Sequence, residues 1–67
     1  MGEITIKAAR VNAGLSQKQL AEKLGVTPAT VSLWERGKST MRPAYFYAVS
    51  QITGISVDNL LWPKSLK

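Results

Sequence analysis

The sequence predicts an all-α protein, a compact bundle of five helices in a single domain that spans residues 1–67. Three observations predict it. Apolar residues recur at helical spacing in successive stretches, glycines follow four of those stretches, and small hydroxyl residues precede several of them. The predicted helices cover about 4–13, 17–24, 28–36, 43–53 and 57–61.

The first helix has the least distinct start. The stretch Ile4-Thr5-Ile6-Lys7 alternates apolar and polar residues as a strand does. However, Ile6, Ala9, Arg10 and Ala13 recur at the three- to four-residue spacing of one helix face. We therefore predict a helix that begins near residue 4.

The other helix starts carry capping signals. Ser16 with Gln19 three residues later forms a capping box, and Thr27 precedes Pro28, which suits the first helical position. Ser56 is the predicted cap of the fifth helix. Hydrophobic residues before these caps are spaced to pack on the first turn of each helix, as in the pairs Leu15 with Leu20, Val26 with Val31, and Ile55 with Leu60.

The composition argues against an enzyme. The chain has neither His nor Cys, which excludes a disulfide framework, a thiolate nucleophile and a Ser-His-Asp triad. Its four carboxylates are too few and too dispersed for a calcium cage, and a core of this size leaves no room for a deep cleft. We therefore expect no catalysis, no cofactor, no metal and no small-molecule ligand.

The net charge of +5, from nine Lys or Arg and four Asp or Glu, indicates a polyanionic partner. A membrane is the weaker choice, because the longest charge-free run, 43–57, is shorter than the roughly 20 residues that span a bilayer. The N-terminus has no signal-peptide pattern either. We expect a cytoplasmic protein that binds nucleic acid.

Two of the predicted helices, 17–24 and 28–36, are separated by a short turn that contains Gly25. Two short helices joined in this way form a helix-turn-helix unit, whose steep crossing requires a small residue such as Ala21. The apolar residues between the two helices and the rest of the domain are Leu20, Leu24, Val26, Val31 and Trp34.

With this unit the chain resembles the Cro and repressor helix-turn-helix proteins of phages and the related bacterial regulators of the XRE family. The resemblance runs from Ile6 to Leu61. It is strongest in Leu15-Ser16-Gln17, Leu20-Ala21, Leu24-Gly25, the run from Val31 to Gly37, and the run from Gly54 to Leu61. It implies a five-helix fold of the phage repressor type and a homodimer that represses transcription from a palindromic operator in the bacterial nucleoid.

The resemblance also implies that the helix 28–36 enters the major groove. The residues that would face bases are Pro28, Ala29, Thr30, Ser32 and Leu33. Many relatives place Gln, Asn, Arg or Lys at the positions of Pro28, Ala29 and Leu33, where this chain has apolar residues. We therefore expect apolar contacts with thymine methyl groups, hydroxyl contacts, and a larger share of recognition from DNA shape.

Phosphate contacts are expected on both sides of this helix. Gln17 matches a glutamine that contacts the DNA backbone in the family. The complete predicted set is Gln17, Lys18, Thr27, Arg36, Lys38, Ser39, Thr40 and Arg42. Ala44 departs from the family, because many members carry a basic residue there.

Arg10 shares a helix face with Ile6 and Ala13, where an unpaired charge is costly. In the family a matching pair bridges the first and third helices. The resemblance therefore implies a structural ion pair between Arg10 and Glu35.

Two questions stay open at the level of sequence. The apolar face of Pro28, Ala29 and Leu33 also suits a protein-interaction module, such as an antitoxin or a co-regulator. Trp62 is equally compatible with a cap over a thin core and with an interface anchor. The expected dimer surface includes the loop around Met41 and Pro43 and the end of the predicted fifth helix near Leu61 and Trp62.

Overall fold

A computed structural model of the protein describes residues 3–63. Within them the chain forms four helices and no extended strand: α1 (Ile6–Asn12), α2 (Gln17–Leu24), α3 (Pro28–Glu35) and α4 (Pro43–Thr53). The all-α prediction is confirmed, and the predicted count of five helices is wrong.

The predicted fifth helix, 57–61, is instead a turn followed by extended chain. The carbonyl of Ser56 accepts the N–H of Leu60 at 3.0 Å, which closes one turn. Leu60 then forms an isolated parallel bridge with Ile4, and the N–H of Leu61 donates to the carbonyl of Ile4 at 2.7 Å. A helix of five residues forms too few hydrogen bonds to offset its unfavourable nucleation, so the chain pairs with the backbone of Ile4 instead.

The same bridge moves the start of α1 from residue 4 to Ile6. Ile4 is extended, and Thr5 is the N-cap, with its Oγ1 accepting the N–H of Ala8 at 3.0 Å. The alternating pattern at this end of the sequence therefore reflects a short extended segment that the capping residue separates from the helix.

The caps of α2 and α3 are those that the sequence predicts. Ser16 and Gln19 form both halves of a capping box, at 3.0 Å and 2.8 Å. Thr27 caps α3, and Pro28 occupies its first turn. Gly25 ends α2 in the left-handed conformation, with φ of +73°, which allows the chain to turn sharply into α3.

One core joins all four helices. Its buried members are Ile6, Ala9, Leu20, Ala21, Val31, Trp34, Met41, Phe46, Val49 and Leu60. Met41 is only 3% exposed, so within the loop expected at a dimer surface its own side chain faces the core, whereas Pro43 is exposed. The Met41 side chain anchors the segment between α3 and α4 to the core.

Candidate nucleic-acid interface

The helix-turn-helix unit consists of α2, the turn at Gly25 and α3, and α2 packs chiefly against α3. Ala21 in α2 is buried, which is what the sequence predicts for a small residue where two short helices cross steeply. The N–H of Val26 donates to the carbonyl of Ala21 at 3.0 Å, which satisfies a carbonyl at the end of α2.

Helix α3 has one buried side and one exposed side. Val31 and Trp34 are buried in the core and hold the helix against the bundle. Pro28, Ala29 and Leu33 are exposed, and Leu33 keeps 37% of its surface accessible to solvent. Three of the five residues predicted to face bases thus lie on the solvent side of a helix whose position is fixed by packing.

The other two predicted base-facing residues, Thr30 and Ser32, are half-buried. The hydroxyl of Thr30 lies 2.9 Å from that of Thr27, and the Thr27 hydroxyl also accepts the N–H of Thr30 at 3.3 Å. The Thr27 hydroxyl therefore caps α3, and the Thr30 hydroxyl is hydrogen-bonded to it. The Ser32 hydroxyl has no hydrogen-bond partner among the described side chains and backbone groups.

Arg10 and Glu35 lie in contact between α1 and α3. Arg10 Nε donates to Glu35 Oε2 at 2.6 Å and Arg10 Nη2 to Oε1 at 3.2 Å, while Arg10 Nη1 donates to the carbonyl of Leu15 at 2.8 Å. The two charged side chains are 10% and 3% exposed. The guanidinium and the carboxylate are thus paired in two-pronged geometry with little access to water.

Gln17 also contacts this pair, which the sequence did not indicate. Its Nε2 donates to Glu35 Oε1 at 2.9 Å, so its amide is held by the end of α3. One amide hydrogen and the amide oxygen remain for a further partner. No spacing rule links residues in separate helices, and only the approach of α2 to the end of α3 brings them together.

The remaining residues predicted to contact phosphates lie largely in solvent. Lys18 is exposed in the first turn of α2, and Thr27 is exposed at the N-cap of α3. After α3, Arg36, Lys38, Thr40 and Arg42 are exposed, whereas Ser39 is half-buried and donates weakly to the carbonyl of Thr40 at 3.4 Å. Within residues 3–63 the sole ion pair is Arg10–Glu35, so these cations have no carboxylate partner there.

A second surface feature lies at the start of α1, the end of α3 and the segment 61–63. It is an open groove of about 460 Å³, lined by residues that include Ile6, Lys7, Trp34 and Trp62. The sequence did not reveal it, because its walls come from distant parts of the chain.

Trp62 forms one wall of this groove. Its ring lies 4.5 Å from that of Phe46 and yet remains 38% exposed. It therefore covers part of the core and also presents an aromatic surface. Tyr45 packs on Trp34 with ring centroids 5.4 Å apart, and Tyr47 is 58% exposed.

Residues 3–63 contain neither a candidate membrane-spanning helix nor a cluster of metal-ligating side chains. None of their helices is long and apolar enough to cross a bilayer. Their His, Cys, Asp and Glu side chains form no group of three or more that could hold a metal ion.

A family model described as helix-turn-helix matches residues 6–60, from the first residue of α1 to the bridge at Leu60. The matched stretch includes all four helices. No solved structure gives a significant match to the chain.

Proposed function

Because the chain belongs to the helix-turn-helix family of the Cro/C1 type, the XRE family, we propose that it is a sequence-specific transcriptional regulator that binds double-stranded DNA. The observation that carries the proposal is the exposed side of α3. Val31 and Trp34 fix this helix against the core, while Ala29 and Leu33 project toward solvent. A rigid helix presented by a second helix is the geometry that reads a major groove.

In the proposed complex α3 lies in the major groove, with its exposed side from Pro28 to Leu33 toward the base edges. The first turn of α2 contacts the phosphates on one side through Gln17 and Lys18. The segment from Arg36 to Arg42 contacts those on the other side, and its exposed cations provide the counter-ion release that drives association.

We propose that the protein binds as a homodimer. A domain with a single reading helix buries a small contact area, and two half-sites one helical turn apart multiply the affinity. Leu61 and Trp62 are 44% and 38% exposed, and they form the proposed dimer surface together with the exposed Pro43. The loop that holds Met41 contributes through Pro43, because the Met41 side chain is buried.

The finer role is proposed from the resemblance to the Cro and repressor proteins of phages. We propose a phage or prophage repressor that occupies a palindromic operator and excludes polymerase. It would act in the bacterial cytoplasm, at the nucleoid, without catalysis, metal or cofactor.

A protein-interaction module is the second candidate. The groove beside Trp62 and the apolar side of α3 favour it, because both are exposed apolar surfaces that another protein could cover. In that case binding to duplex DNA would be weak or absent even at low salt.

Selection from a random duplex pool tests the proposed function. We expect a palindromic consensus, two chains per selected duplex, and an affinity that falls steeply and linearly with the logarithm of salt concentration. Failure to enrich any sequence, together with no binding to random duplex at low salt, would favour the interaction module.

A further inference from the structure

The exposed side of α3 lacks the side chains that read purines by paired hydrogen bonds. Such readout uses Arg or Lys on guanine and Asn or Gln on adenine. Within Pro28–Glu35 the one charged residue is Glu35, and its carboxylate is bound by Arg10 and Gln17. Helix α3 therefore offers no amide, guanidinium or ammonium group to a base edge.

The hydroxyls add little discrimination. Thr27 and Thr30 bond to each other at 2.9 Å in the cap. Ser32 remains, but a hydroxyl both donates and accepts, so it pairs with any base. Hydrogen bonding from α3 therefore gives the protein a weak basis for choosing among base pairs.

Apolar contact from α3 gives the protein a stronger basis for choosing among base pairs. Ala29 and Leu33 are four residues apart, so their side chains lie together on one face of α3, and both are exposed. The thymine 5-methyl group is the apolar feature of the major-groove edge of a base pair. We propose, on the basis of the proposed function, that Ala29 and Leu33 determine specificity by packing against thymine methyl groups in each half-site.

Replacement of thymine by uracil tests this directly, because it removes the methyl group and keeps every hydrogen-bonding atom. A duplex selected by the protein is resynthesised with uracil at one thymine at a time, and the Kd of each version is measured by fluorescence anisotropy. The same series is measured for Leu33→Ala. Val11→Ala serves as a matched control, because Val11 is 57% exposed on α1, outside the helix-turn-helix.

We expect the wild-type protein to bind about fourfold more weakly for each contacted methyl that is lost, the value for burying one methyl-sized group. Leu33→Ala should bind the thymine and uracil versions within about twofold at the positions that Leu33 contacts. Val11→Ala should behave as the wild type does.

Three outcomes overturn the proposal. Selective binding that is insensitive to uracil at every position refutes it and leaves the proposed function intact. A uracil effect that persists unchanged at every position in Leu33→Ala overturns the role of Leu33 and assigns the preference to DNA shape. Failure to select any duplex refutes the proposed function and this inference with it.

Discussion

Arg10 Nε donates to Glu35 Oε2 at 2.6 Å, and this contact ties α1 to the last residue of α3. Gln17 reaches the same carboxylate from the first turn of α2 at 2.9 Å. One buried anion therefore joins three helices, and two of them form the helix-turn-helix. The position of the proposed reading helix depends on this pairing at its C-terminal end and on core packing through Val31 and Trp34 along its length.

Replacement of Arg10 by Met should destabilise the protein strongly. The change leaves the carboxylate of Glu35 buried with only Gln17 as a partner, and breaking a buried pair costs about 3 kcal/mol. For a chain of this length the corresponding drop in Tm is roughly 10 °C or more. Thermal unfolding followed by circular dichroism measures it.

Two further variants separate the pairing from general effects of charge. Lys7→Met removes an exposed cation from the same helix and should leave Tm nearly unchanged. The double variant Arg10→Met with Glu35→Leu should recover part of the loss, because no buried charge remains unpaired. An unchanged Tm in Arg10→Met would show that the Arg10–Glu35 ion pair does not stabilise the fold.

Gly25→Ala should cost about 1 kcal/mol of unfolding free energy. The residue has φ of +73°, and a Cβ built on it meets nothing within 4 Å, so the cost arises from backbone conformation alone. Gly25→Asn should cost less, because Asn tolerates the left-handed conformation better. Urea denaturation compares the three proteins, and equal stability of the Ala variant would contradict the turn geometry.

Trp62→Ala should destabilise the protein by about 2 kcal/mol, since it removes a partly buried ring that packs on Phe46 at 4.5 Å. Tyr47→Ala is the matched control. Its ring also neighbours Phe46, at 6.3 Å, but is 58% exposed, so the expected loss is below about 1 kcal/mol. Equal losses in urea denaturation would show that Trp62 does not cover the core.

Lys38→Gln should lower the salt dependence of DNA binding. Each phosphate contact contributes about 0.9 to the slope of log K against log salt, so the slope should become shallower by about that amount. Lys23 is also exposed but lies in the last turn of α2, and Lys23→Gln should leave the slope unchanged. Identical slopes of log K against log salt for the wild type and both variants would show that Lys38 does not contact phosphate.

The features of the fold that depend on neighbouring residues could be predicted from sequence. The capping box of Ser16 and the pairing of Thr27 with Pro28 placed the starts of α2 and α3 correctly, because a cap acts within one turn. The fifth helix could not be excluded in this way. The backbone of Ile4, at the other end of the chain, competes for Leu60 and Leu61, and no local pattern reports that competition.

The candidate site likewise has features that local sequence predicts and features that depend on contacts between distant segments. The exposure of Ala29 and Leu33 follows from helical periodicity once Val31 and Trp34 are assigned to the core. The contact between Gln17 and Glu35 and the burial of Met41 both depend on how separate segments approach one another. Helical periodicity predicts neither the contact between Gln17 and Glu35 nor the burial of Met41.

The most direct test of the central claim is to titrate duplex DNA at low salt into isotopically labelled protein and record backbone amide chemical shifts. The account predicts that the largest changes occur at the first turn of α2, at Thr27 to Leu33, and at the segment from Arg36 to Arg42. Amides of α1 should change little, and those of Leu61 and Trp62, at the far side of the groove from Arg36, should change only through dimerisation. An absence of shift changes, or changes confined to that groove, would contradict binding of DNA through α3.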